Sequence, residues 1–154
     1  MSATNQVPDQ CRHIAVSAEN HLSIESGPTP TPGAEEILIK VHSAGINRAD
    51  LLQRKGLYPP PPDASPIMGL EVAGTIQAIG KNVRTWQVGD SVCALTHGGG
   101  YADYAVAPMS QCMPIPNGFS KGEAAALPEA LLTNWHNLFQ RAELKPGEKI
   151  LIHG

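Results

Sequence analysis

The sequence predicts a mainly β protein with a few helices. It reads as a twisted sheet or partly open barrel that passes, near residue 128, into one helix and one strand of a different type. Three observations predict it. Apolar residues alternate with a period of two through several short stretches, Gly and Pro signals separate those stretches, and helical spacing takes over only after Ser120.

The elements follow in order. HIAV (13–16) and HLSIES (21–26) read as two short strands around an Ala18-Glu19-Asn20 turn, followed by the stiff PTPTPG connection. EEILIKVHSAGIN places Ile37, Ile39 and Val41 on one face and Leu38, Lys40 and His42 on the other, as in a strand with one buried face. MGLEVAGTIQAIG, DSVCALT and, after the Gly98-Gly99-Gly100 turn, YADYAVAP repeat that pattern. Ser120 with Glu123 three positions on forms a capping box, and Pro128 breaks or restarts the helix that it opens.

The ending LKPGEKILIHG has another character. After the Pro146-Gly147 turn, KILIH is a continuous apolar run of the kind buried on both faces of a parallel sheet. Helix, turn, buried strand and Gly are the opening of a dinucleotide-binding βαβ unit, whose glycine-rich turn comes next. A lone strand of this type leaves its backbone groups unpaired, so the chain is expected to stop inside a larger protein. The expected division is residues 1–128 and 129–154.

Composition narrows the function. With 154 residues, 42% hydrophobic and 16% charged, the chain can bury a core and is too apolar for a disordered polymer. A net charge of −3 offers no electrostatic footprint for nucleic acid or an anionic membrane, and no apolar run approaches the length of a membrane helix. A cytoplasmic protein is expected. Cys11, Cys93 and Cys112 are odd in number and widely spaced, which supplies neither a disulfide framework nor a zinc pair and leaves three ordinary thiols.

GINRADLLQRKGLYPPPP, MGLEVAGTIQAIG, VGD, GGGYADYA, PIPNGFSKGEAAALPEALLTNW and LKPGEKILIHG, in that order and spacing, resemble the N-terminal half of the medium-chain dehydrogenase/reductases. Within them the chain is most similar to the zinc-independent NADPH:quinone oxidoreductases, zeta-crystallin-like proteins, and in pattern to the tumour-suppressor-inducible subgroup. The resemblance runs from about Ile14 to the end. It implies a GroES-like catalytic domain followed by a Rossmann domain that binds NADPH, with the nicotinamide between them, in a protein that is a homo-oligomer at full length. The turn that cradles the pyrophosphate, and the residues that select the 2′-phosphate, then lie beyond Gly154 and the fragment alone is expected to be inactive. Arg48 departs from the zeta-crystallin branch, where a tyrosine is frequent.

The resemblance also bears on metal. Positions that hold a cysteine and a histidine ligand in zinc-dependent relatives are Asn47 and Leu70 here, and DSVCALT runs through THGGG into YADYA without a four-cysteine lobe. Glu71 with His42, His97 and His136 does not rebuild a tetrahedral site, so no zinc is expected. Without a Lewis acid the acceptor must take hydride readily. A quinone does, because its carbonyls are conjugated and its product is aromatic.

Asn47, Asp50 and Tyr58 are the expected catalytic residues, and Asn47, Tyr58 and Thr133 the expected cofactor contacts. Asn47 and Asp50 sit where a strand ends and a helix starts; hydrogen bonding to a cofactor and simple helix capping are compatible roles there. Tyr58 precedes Pro59 to Pro62, which hold the chain extended after it, so its phenol can hydrogen-bond or protonate a substrate carbonyl or pack on the prolines. The resemblance places Thr133 facing the nicotinamide; as a helical Thr it can equally bond its own backbone. Gly69, Gly74 and the three glycines at 98–100 read as backbone devices, since no helix start follows them. Two other functions stay open: an NADPH-dependent 2-enoyl-thioester reductase, which also uses a tyrosine near the hydride acceptor, and a non-catalytic GroES-like binding module, against which KILIHG argues.

Overall fold

The structure is a computed structural model that describes residues 6–152. Strands β1 (Gln10–Val16) and β2 (Leu22–Pro28) form an antiparallel hairpin. Its turn closes on Asn20 at φ 64°, with Ser17 N–H donating to the His21 carbonyl. Five further strands, β3 (Glu36–Ala44), β4 (Glu71–Ile79), β5 (Ser91–Leu95), β6 (Tyr104–Pro108) and β7 (Cys112–Pro114), make one antiparallel sheet in the order β6-β3-β4-β5-β7. The expected strands are present, although YADYAVAP pairs in the sheet only from Tyr104. Register slips between Leu38 and Ile39 and between Val41 and Ser43 mark irregularities in the β3–β4 ladder, which bend and twist the strands so that the sheet curls.

Curling gives the sheet an inside. Ile37, Ile39, Val72, Ile76, Val92 and their neighbours pack there. The opposite face is also covered: Ala73 and Cys93 pack against Ala124 and Ala125, and Leu38 packs with Cys11 and Tyr104. This corrects the reading of β3 as a strand with one buried face. Leu38 is 2% exposed because the N-terminal segment around Cys11 lies over it.

Helices are short. Helix α1 (Arg48–Arg54) follows β3, and α2 (Lys121–Ala124) starts at the expected Ser120 cap, whose hydroxyl accepts from Glu123 N–H at 3.2 Å. Helix α3 (Pro128–Trp135) begins at the expected proline and widens into a π-helical stretch over His136–Arg141. The Pro146-Gly147 turn forms as expected, with Glu148 N–H donating to the Lys145 carbonyl. KILIH, expected to find no partner strand within this chain, forms no ladder: residues 149–152 pair with nothing among the described residues, and His153 and Gly154 lie outside them. An extended segment becomes a strand only against another, and none of the described residues offers it a ladder.

Candidate functional site

The site is built where β3 hands over to α1. Asn47 caps α1, and its backbone N–H donates to Asp50 Oδ2 at 2.8 Å, the return arm of a capping box. Its carboxamide reaches across to β4 and donates to Glu71 Oε1 at 2.9 Å. The other oxygen of Glu71 accepts the N–H of Glu129 at 3.0 Å, in the first turn of α3. Glu71 is 2% exposed. One buried carboxylate therefore ties the start of α1 to the start of α3, and its negative charge suits the positive end of the second helix.

The backbone makes room for it. A Cβ at Gly45 would collide with the Glu71 carboxylate, so only glycine lets the chain pass that close. One turn beyond Glu129, Thr133 is exposed, and its hydroxyl lies 3.4 Å from Glu129 Oε1. Asn47, Glu71, Glu129 and Thr133 thus form one connected array.

Asp50 faces inward, 2% exposed. Besides Asn47 N–H, its Oδ2 accepts from the Tyr101 hydroxyl at 2.8 Å, while Oδ1 has no partner among the described residues. Burial first, and then the hydrogen bond and charge of Asp50, push the Tyr101 phenol well above its ordinary range, so it stays a donor. Asp50 is an acid in the first turn of α1, as weighed, and it also closes the capping box with Asn47.

Tyr58 lies apart from this array. It is 49% exposed and lines a cavity of about 170 Å³ with Gln53, Pro60, Leu70 and His97. Thr133 borders a different cavity, beside Trp135 and His136. The structure therefore brings Asn47 and Asp50 together, links Thr133 to Asn47 through Glu71, and sets Tyr58 at a separate wall that reaches the array through Leu70, next to Glu71 in β4.

Sequence reasoning passed over two residues, Tyr101 and the organising role of Glu71. A carboxylate inside the apolar run MGLEVAG was the available signal for Glu71, since a charge in a buried strand needs partners. The cysteines are not part of the site. Burial raises the Cys93 thiol and pushes Cys112 up to about 12, which leaves both protonated at neutral pH.

The alcohol dehydrogenase GroES-like domain matches residues 33–117, more than half of the chain. Quinone oxidoreductase of Mus musculus is 36% identical over 126 residues, 81% of this chain and 38% of the relative. Synaptic vesicle membrane protein VAT-1 homolog of Danio rerio is 34% identical over 132 residues, covering 86% of this chain and 27% of the relative. Among solved structures, CurK enoyl reductase superposes with a TM-score of 0.76 at 30% identity, covering 92% of this chain and 46% of that one. The chain thus spans less than half the length of these proteins. With the curled antiparallel sheet and the matched span in agreement, the chain belongs to the alcohol dehydrogenase GroES-like domain family, within the medium-chain dehydrogenase/reductase superfamily.

Proposed function

We propose that this chain is the acceptor-binding half of an NADPH-dependent quinone reductase that works without a metal. The observation that carries the reading is the division of the site: a polar array through Asn47, Glu71 and Thr133 on one side, and the Tyr58 cavity on the other. The half-buried Asn47 carboxamide and the exposed Thr133 hydroxyl are groups that a nicotinamide amide or ribose can bond. Bound there, the cofactor supplies the hydride. Tyr58 then orients the acceptor carbonyl, while Glu71 and Asp50 act as positioning residues that fix Asn47.

Metal chemistry does not suit these residues. Both Glu71 oxygens accept N–H groups, whose hydrogens point where a cation would sit, and Leu70 beside it has no donor atom. Chelator is expected to leave the thermal midpoint unchanged; one tightly bound zinc per chain in metal analysis would overturn this part. Three free thiols suit a reducing compartment, and we place the protein in the cytoplasm, acting on a small conjugated carbonyl as a homo-oligomer.

Assay of the complete protein, with NADPH, against 1,2- and 1,4-quinones and against a 2-enoyl thioester tests the reading. Quinone turnover is expected, and Tyr58→Phe should lower it about tenfold with NADPH affinity nearly intact, as the loss of one hydrogen bond predicts. Asn47→Ala should weaken cofactor binding instead. The second reading, an enoyl-thioester reductase, is favoured by the likeness to CurK enoyl reductase, and a preference for the thioester would replace the quinone.

A further inference from the structure

We propose that His97, oriented by Asp63, is the proton donor to the acceptor held in the Tyr58 cavity. This rests on the reading of that cavity as the acceptor site. The imidazole of His97 lines the cavity with Tyr58, and its Nε2 lies 3.2 Å from Asp63 Oδ1. Asp63 comes from the loop that carries Tyr58 and the prolines, but it lines the adjoining cavity, so His97 stands between the two.

His97 is held more firmly than a surface histidine. On one side Thr96 N–H donates to the Leu70 carbonyl at 2.7 Å, and the Thr96 hydroxyl to the Gly69 carbonyl at 3.0 Å. The His97 carbonyl accepts Ser65 N–H at 3.0 Å. On the other side Gly98 turns at φ 74°, where a Cβ would come within 2.8 Å of the Ser65 carbonyl, and Gly99 N–H is bonded to the Ile67 carbonyl. The backbone is pinned on both sides while the ring stays half exposed. A half-exposed imidazole carried on a pinned backbone at a cavity wall, with the exposed Asp63 carboxylate beside its Nε2, can serve as a general acid.

The chemistry balances. Hydride from the nicotinamide brings two electrons and one hydrogen to the quinone. The imidazolium gives one proton to the oxygen that gains the charge, the hydroquinone leaves, the cofactor is oxidised, and one proton taken up from solution restores the imidazolium. An imidazolium yields its proton near neutrality far more readily than a phenol does, which leaves Tyr58 the part of holding the carbonyl. The titratable groups that face His97 are Tyr58 in this cavity, and Asp63, Glu36, Cys11 and Tyr104 in the adjoining one. The hydrogen bond from His97 in turn holds the Asp63 carboxyl below its usual range.

The test is the pH profile of quinone kcat/KM in the complete protein, wild type against His97→Gln and Asp63→Asn. His97→Gln should lose about a hundredfold in kcat/KM and change the shape of the profile, with NADPH affinity unchanged. Asp63→Asn should lower kcat by less than His97→Gln does, with KM for the quinone nearly unchanged. In a complex with oxidised cofactor, adding 1,4-naphthoquinone should shift the His97 ring resonances in NMR. A His97→Gln enzyme that keeps the wild-type profile, or His97 resonances indifferent to the quinone, overturns the proposal alone; a wild type inactive toward every quinone removes the cavity assignment and the proposal together.

Discussion

Ile-Leu-Ile occurs twice in this chain, and the two copies have opposite fates. In β3, Ile37, Leu38 and Ile39 are 0%, 2% and 0% exposed; near the C-terminus, Ile150, Leu151 and Ile152 are 47%, 80% and 66% exposed. Composition and intrinsic preference are the same. What differs is company: β3 has β4 on one side, β6 on the other, and the Cys11 segment over its outer face, while residues 149–152 have no strand beside them among the described residues. β-Structure is a property of the partnership more than of the segment. Leu131, Trp135 and Phe139 on and after α3 are exposed too, so the contrast is between a packed sheet and a C-terminal stretch with unburied apolar side chains.

The largest effect expected from that contrast is in the sheet. Ile39→Ala removes a fully buried side chain from the inner core, where its neighbours are held by backbone ladders and collapse poorly into the gap. A loss of about 2 to 5 kcal/mol is expected in urea unfolding of the chain. A change below about 1 kcal/mol would mean that the sheet is not the cooperative unit.

Glu71→Gln comes next, since it acts at the seam between the two regions. The amide can accept one of the two N–H groups but presents its own N–H₂ to the other, so Asn47 and Glu129 both lose a charged partner and one of them loses its acceptor. The expected cost is about 1.5 to 3 kcal/mol, together with weaker order in α3 by hydrogen exchange. If α3 protection is unchanged, the tie between the regions lies elsewhere.

Tyr101→Phe is smaller, about 0.5 to 1.5 kcal/mol, because Asp50 keeps the Asn47 N–H. Its signature is in pH. The folded phenol ionises above the unfolded one, so its contribution is fully present below about pH 10, where a free tyrosine titrates, and is lost as pH rises toward the folded value. The difference between wild type and Tyr101→Phe should therefore be constant from pH 7 to 9 and shrink above pH 10. A difference that grows with alkalinity would contradict the direction of the shift.

These sites also separate what local sequence carries from what it does not. The Ser120–Glu123 box and the Pro128 start were legible because each is settled within one helical turn. The alternation of the sheet strands was legible because one face always meets the core. The cover on Leu38 was not, since it comes from Cys11 far back in the chain, and nothing near Leu38 announces it. Asn47 and Asp50 were legible as residues at a strand-to-helix junction. Their partners were not, because Glu71 lies 24 residues from Asn47, Tyr101 lies 51 from Asp50, and Glu129 lies 58 from Glu71. Spacing on a strand or helix says nothing about which side chains meet after the sheet curls.

The smallest effect belongs to the second Ile-Leu-Ile. Ile152→Ala trims a side chain that is already two-thirds exposed, so almost no burial is lost and no cavity opens. Its unfolding free energy should stay within about 0.5 kcal/mol of wild type, against the several lost at Ile39 by the same chemical change. The segment still has an effect, on association. Leu151 at 80% exposure and the side chains of Leu131, Trp135 and Phe139 offer apolar surface to any second molecule. Leu151→Lys should therefore leave stability unchanged and lower the self-association of this chain in sedimentation at high concentration. A loss of more than about 1 kcal/mol in Ile152→Ala would show the segment packed against the domain, and the two tripeptides would then differ in degree rather than in kind.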